Sequence, residues 1–208
     1  MNSVSFFDSI RIDIPRRKIY SRLGYRKGKT ILDAARRRDI ERALDEAEAL
    51  IRLRGCGVRL AVRGRTGSGV VLGAGDIVIE SRDIMRLLER SAEVLLMGAT
   101  AGPDIIESIR RDTDRGDLSH GIVLDAAAGE MTDAALDWIV RYYGHELSRE
   151  NRRLTRRRFS AGYGDFDLEN QVWIHRVLKL DRLDVAITPG FMLVPEKSVT
   201  ALAGIEGI

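Results

Sequence analysis

Cysteine is nearly missing from this chain: Cys56 is the single one among 208 residues. A lone thiol closes no disulfide and has no companions for a thiolate metal site, which excludes a disulfide scaffold and suits a reducing, cytoplasmic setting. Histidine is almost as scarce. His120, His145 and His175 stand apart, without the spacing of a zinc set or a catalytic dyad, and read as surface or hydrogen-bonded core positions. No apolar run is long enough to cross a bilayer; Val94 to Gly98 is too short, and Met1 to Ile12 lacks a signal-peptide core, so no membrane role is expected. A phosphate loop is missing as well, because the glycine-rich stretch 64–75 lacks the closing Gly-Lys-Ser/Thr and reads as a hairpin. Ser119 and Ser198 have no recognisable base beside them. Strong charge of one sign is also lacking: the pI is about 9.2, yet 34 basic against 31 acidic residues leave +3. The cluster Arg152, Arg153, Arg156, Arg157, Arg158 has no interleaved aromatics, so no nucleic acid partner is expected, and a docking surface for an acidic protein fits at least as well.

What is there is 44% hydrophobic and 31% charged residues, enough for a globular protein with a real core. Ser9 to Ile14 alternates as a half-buried strand does, followed by the basic turn Pro15 to Lys18, so residues 1–30 read as an N-terminal β element at the periphery of a single domain, 1–208. Asp33 to Leu53 carries Ile40, Leu44, Ala47 and Ile51 at helical spacing, with Arg36, Arg37 and Arg38 on a solvated face. Val58 to Val62, Gly69 to Leu72 and Ile77 to Ile79 read as strands of one antiparallel sheet. Asp83 to Arg90 reads as helix, Ala92 to Met97 as a buried strand, and a further helix starts near Pro103. A long helix covers Leu118 to Gly144, another Asp167 to Leu180, and short strands lie near Ala186 to Ile187 and Leu202 to Ile205. No internal repeat or low-complexity tract occurs. Strands and helices without regular βαβ alternation give an α+β class, a central antiparallel sheet flanked by helices.

Two places carry unusual residues. Arg158-Phe159-Ser160-Ala161-Gly162-Tyr163-Gly164-Asp165 combines a planar cationic fork, glycines that let a ligand approach the backbone, and an aromatic ring, ahead of a helix that Asp167 is placed to cap. That set suits a small zwitterionic or cationic ligand; the plainer reading is a structural turn whose arginine closes a surface ion pair. Glu130 falls in the stripe Val123, Ala127, Ala134, Trp138. A carboxylate there needs a partner, either a ligand ammonium or Arg158, unless it reaches water.

The pattern Arg158-x-x-x-Gly162-Tyr163, then a helix, then Ile187-Thr188-Pro189-Gly190-Phe191-Met192-Leu193-Val194-Pro195 and Ser198-Val199, resembles the C-terminal activation (reactivation) domain of cobalamin-dependent methionine synthase. It looks closer still to short, separately encoded relatives, which share an early Leu23-Gly24-Tyr25 and an ending like Lys197 to Ile205. The resemblance implies a helmet-like α+β domain that binds S-adenosylmethionine and supports remethylation of inactive cob(II)alamin. The cobalamin would be supplied by a partner, a cobalamin-dependent methionine synthase or other corrinoid protein, with a flavodoxin-like electron donor. It implies that Arg158 holds the ligand carboxylate and that Ala161, Gly162 and Tyr163 line the site. Glu130 matches an upstream glutamate, and Asp165 stands near a sulfonium. Gly164, Asp165 and Phe166 replace the family's proline and cysteine. The alternative from another class is a non-catalytic docking or assembly protein for a corrinoid methyltransferase.

Overall fold

The computed structural model describes residues 3–26, 28–73 and 77–208, which leaves the end of the glycine-rich stretch, 74–75, outside the described residues. In chain order the elements are β1 (Ser5–Phe7), α1 (Arg16–Arg22), α2 (Ala34–Leu50), β2 (Arg54–Arg65), β3 (Gly69–Leu72), β4 (Ile77–Glu80), α3 (Arg82–Leu87) and β5 (Glu93–Thr100). They continue with α4 (Asp104–Arg115), α5 (Leu118–Ser148), β6 (Arg152–Leu154), α6 (Gln171–Leu178), β7 (Ala186–Ile187), β8 (Leu193–Val194) and β9 (Ser198–Gly207). The strands form a curled antiparallel sheet in the order β4-β3-β2-β5-β9-β6, with β1 beside the first half of β2 and β3 beside its second half. The fold class is the α+β expected, with β7 and β8 as a separate hairpin.

Side chains of a strand alternate between faces, and both faces of this sheet are covered. Leu95, Met97 and Ala99 of β5, with Ala201, Ala203 and Ile205 of β9, join one apolar cluster beneath α2, α4 and α5. Val94, Leu96 and Leu202 point the other way, to Ile84 of α3 and Ile174 and Leu178 of α6. The central helix is α5, whose buried line runs Leu124, Ala128, Met131, Ala135 and Ile139. It reaches the sheet where β2 has no side chains. A Cβ at Gly57 would stand 2.7 Å from the Tyr143 ring, and one at Gly55 would stand 2.8 Å from Ile139. Tyr143 uses that closeness, its hydroxyl donating to the Gly57 carbonyl at 2.9 Å.

Three expectations are corrected. The N-terminal strand is Ser5–Phe7, not Ser9 to Ile14: residues 9–14 make no ladder, although Ile10 and Ile14 are buried. Alternation there reports burial on one side of the chain, which does not require strand pairing. The segment 167–180 is not one helix, since a 3-10 turn (Leu168–Asn170) leads into α6, and Lys179, at φ 53°, turns the chain into a second 3-10 turn (Leu180–Leu183). Asp167 makes no side-chain cap. The short strand near 202–205 is instead the ten-residue β9, paired with β5 along Glu93 to Thr100.

Gly57→Ala is expected to lower stability by about 1–3 kcal/mol through overpacking against Tyr143. Gly144→Ala, in α5 with open space around its Cβ, should raise it by about 0.5–1 kcal/mol through helix propensity. Urea unfolding of the two variants checks the opposite signs.

Candidate functional site

Past β6 the chain follows the outer edge of β9 as an arm. Thr155 donates its N–H to Gly204 at 2.8 Å, and Phe159 exchanges two bonds with Leu202, 2.9 and 2.8 Å. Four steps along the arm thus oppose two along β9, so residues 156–158 bulge outward, the kind of irregularity that re-aims a side chain. Arg156 and Arg157 are exposed; Arg158 is half-buried and turns back to α5. Its Nη1 donates to Asp137, and its Nη2 lies 3.6 Å from Asp133. Asp133 and Asp137 are four apart on the helix and so share a face. The second oxygen of Asp137 lies 3.5 Å from Lys18 of α1. The cationic fork picked out by the sequence is therefore held by two carboxylates of its own chain.

Beyond Arg158 the arm ends in a tight turn, Gly162 donating to the Phe166 carbonyl at 2.7 Å and Phe166 to Tyr163 at 3.0 Å. Gly162 and Gly164 adopt φ of +91° and +56°, values costly for any residue with a Cβ. Ala161 is buried, the Gly162 backbone is open, and the Tyr163 ring is 69% exposed. Asp165 closes the turn onto α3: it accepts from Ser81 Oγ at 2.5 Å, Arg82 N at 2.8 Å and Asp83 N at 3.2 Å. These bonds, the Ser81 hydroxyl first, hold its carboxyl below the usual range. Because α5 and α3 cover opposite faces of the sheet, Arg158 and Asp165 are turned apart although seven residues separate them.

Glu130 joins neither. Its side chain, 15% exposed, takes Arg22 of α1 at 3.3 Å, so the partner is an arginine 108 positions upstream. Arg158 does not reach it.

A cleft of about 570 Å³ opens where residues 11–13 and α1 meet α5. Asp137 forms one wall, with Trp138 and Arg141 beyond it on α5 and Arg11, Asp13 and Lys18 opposite. Trp138 stacks on Tyr142 (centroids 5.8 Å apart, 15° between planes) and meets Phe7 edge-on at 5.0 Å. The sequence reading missed Asp133 and Asp137 on this helix and the segment 11–13. Two aspartates at i and i+4 beside Trp138 were a visible signal; the docking of the N-terminal segment was not. A second cleft, about 930 Å³, lies between α2 and the start of α5, and none of the arm residues lines it. Its His120 is bound by Asp112 at 2.7 Å and lies 3.4 Å from Glu46. Among the described residues no three His, Cys, Asp or Glu side chains gather as a metal site, and no helix is long and apolar enough to cross a membrane.

Compared with family models and with curated proteins, the sequence matches none. Its fold does match a solved structure, described as "Crystal Structure of the MetH Reactivation Domain bound to AdoHcy", with a TM-score of 0.69 over 97% of this chain and 78% of that one, at 14% identity. The fold is that of the MetH reactivation domain. The resemblance drawn from the arm and the Ile187 to Val199 motif thus extends to the architecture of nearly the whole chain.

Because Asp165 is depressed when folded, its contribution to stability is present above the unfolded value of about 3.9 and is lost as pH falls through the lower folded value. Asp165→Asn should therefore melt below the wild type at pH 6, with the gap closing below about pH 4; thermal melts across that range check it.

Proposed function

We propose that this chain binds S-adenosylmethionine in the cleft beside Arg158 and offers its methyl group to a corrinoid held by a partner. That partner would be a cobalamin-dependent methionine synthase or another corrinoid protein, in the cytoplasm. The observation that carries the reading is the shared fold, over 97% of the chain, with a reactivation domain whose structure holds AdoHcy, the demethylated form of that ligand. The residues present fit such a molecule. A cleft of about 570 Å³ is within the range of small-molecule sites, roughly 300–1,000 Å³. Trp138 provides an aromatic face for a sulfonium or a base, and Asp13 provides a carboxylate for a cationic group. The backbone at Gly162 and the exposed Tyr163 ring extend the surface at the end of the arm.

A partner's corrinoid, once reduced by a one-electron donor of the flavodoxin type, would supply the nucleophile that accepts the methyl group, with S-adenosylhomocysteine as the other product. This chain contributes positioning, which lowers a barrier without any acid or base of its own. Its α5 fixes the cleft wall, the Arg158 contact with Asp137 holds the arm against that wall, and Trp138 limits water on one side of the ligand. A docking or assembly role without ligand binding is the second reading, favoured by the closure of the Arg158 fork on Asp137 and Asp133.

Calorimetric titration with S-adenosylmethionine separates the two. Saturable binding at one site per chain is expected, followed by methylcobalamin formation once a cob(II)alamin-loaded partner and a one-electron donor are added. Absence of heat up to millimolar ligand, with the corrinoid partner still retained by the chain, would leave the docking role alone.

A further inference from the structure

Helix α2 carries its charges against its own dipole. Aligned peptide units favour carboxylates at the N-terminus of a helix and cations at its C-terminus. In α2 the first turn holds no acid and the last turn no base; Arg36, Arg37 and Arg38 crowd the start, and Glu46 and Glu48 stand near the end. Asp33 caps the first turn through the Arg36 N–H at 2.8 Å, yet all three arginines remain exposed. The chain itself does little to offset this arrangement. Among the described residues Arg38 and Glu48 make no ion pair or side-chain hydrogen bond, Arg42 meets Asp39 of its own helix, and Asp45, 71% exposed, meets Arg16 at 3.3 Å.

The exposed side of α2 is also complementary to itself. Ala34, Arg38, Arg42, Asp45 and Ala49 succeed one another at steps of three and four, with Glu41 beside Arg42, on the side away from the buried Ile40, Ala43, Leu44 and Ala47. A second α2 laid alongside in reverse, about a two-fold axis between Glu41 and Arg42, sets Arg38 against Asp45 of the other copy, Arg42 against its Glu41 and Ala34 against its Ala49. Each contact occurs twice, as an isologous interface requires, and every charge on the line faces one of opposite sign. The acidic end of each helix then lies beside the basic start of the other, which offsets the dipole mismatch at both ends. Glu41 already bonds Arg16 and Tyr20, so the Arg38 to Asp45 contact carries most of the pairing. Ile31, 98% exposed just before α2, has no cover of its own. The reversal carries it towards the far end of the other α2, where Leu118, also exposed, stands two residues from the His120 that lies 3.4 Å from Glu46.

We propose that two copies of this chain associate through α2, packed antiparallel about a two-fold axis, with Arg38 of each copy paired to Asp45 of the other. The interface takes no residue from the lining of the cleft near Asp137 and Trp138, so it stands independently of the ligand reading above.

Sedimentation velocity of the full chain, from low to high micromolar concentration, should show a dimer that weakens as salt is raised, since exposed pairs are screened. Arg38→Glu and Asp45→Arg, each alone, set like charges opposite each other twice and should weaken the dimer about 10–100-fold. An equimolar mixture of the two variants should recover it, because in the mixed pair positions 38 and 45 carry opposite charges at both contacts. Far-ultraviolet circular dichroism verifies that each variant is folded. A wild type that stays monomeric throughout, a dimer indifferent to either reversal, or a mixture that remains monomeric overturns the proposal.

Discussion

The seat of α5 on β2 is the constraint on which the rest depends. Helix and strand approach through the missing side chains of Gly55 and Gly57, and the Tyr143 hydroxyl bonds the strand backbone at the point of closest contact. With the helix fixed there, its acidic residues become anchors for segments far away in sequence. Asp125 takes Lys197 at 2.6 Å, Glu130 takes Arg22, and Asp137 takes both Arg158 and Lys18. Such partly exposed pairs each contribute about 0–1 kcal/mol, so their effect is chiefly orientation. They decide where α1, the arm and the start of β9 lie along a helix that packing has already placed.

Local pattern revealed most of the elements and few of the partners. The 3.6-residue period outlined α2 and α5 within a few residues, and the glycine-punctuated β-branched runs outlined β2, β3 and β4, because each period reflects which side of an element is buried. The same logic misplaced the first strand. Ile10 and Ile14 are buried on one side of the segment, but a strand needs a continued ladder, and beyond the bond from the Ile10 N–H to the Leu53 carbonyl residues 9–14 form none. Side-chain roles were less legible because they depend on long-range placement. Glu130 was singled out as needing a partner, yet nothing local points to Arg22, and nothing local shows that Asp165 takes the N–H groups at the start of α3. The resemblance carried by the arm and the Pro189-Gly190 motif reached further than periodicity did, since the fold agrees with it over nearly the whole chain.

Packing also divides a cluster that reads as one unit in sequence. Arg158 faces α5 and Asp165 faces α3, across the sheet edge from each other, so the arm serves two layers at once. The cleft, by contrast, is assembled from residues that the sequence keeps well over a hundred positions apart, Arg11 and Asp13 against Asp137, Trp138 and Arg141. On the proposed reading, ligand recognition belongs to this assembled wall, and the arm holds one side of it in register.

The most direct measurement of that claim is a two-dimensional amide and indole NMR spectrum of the chain titrated with S-adenosylhomocysteine. Recognition by the assembled wall requires shifts at the Trp138 indole N–H and at the amides of Asp13, Asp137 and Arg141. Shifts gathered instead around His120 and Tyr25, in the second cleft, would contradict it.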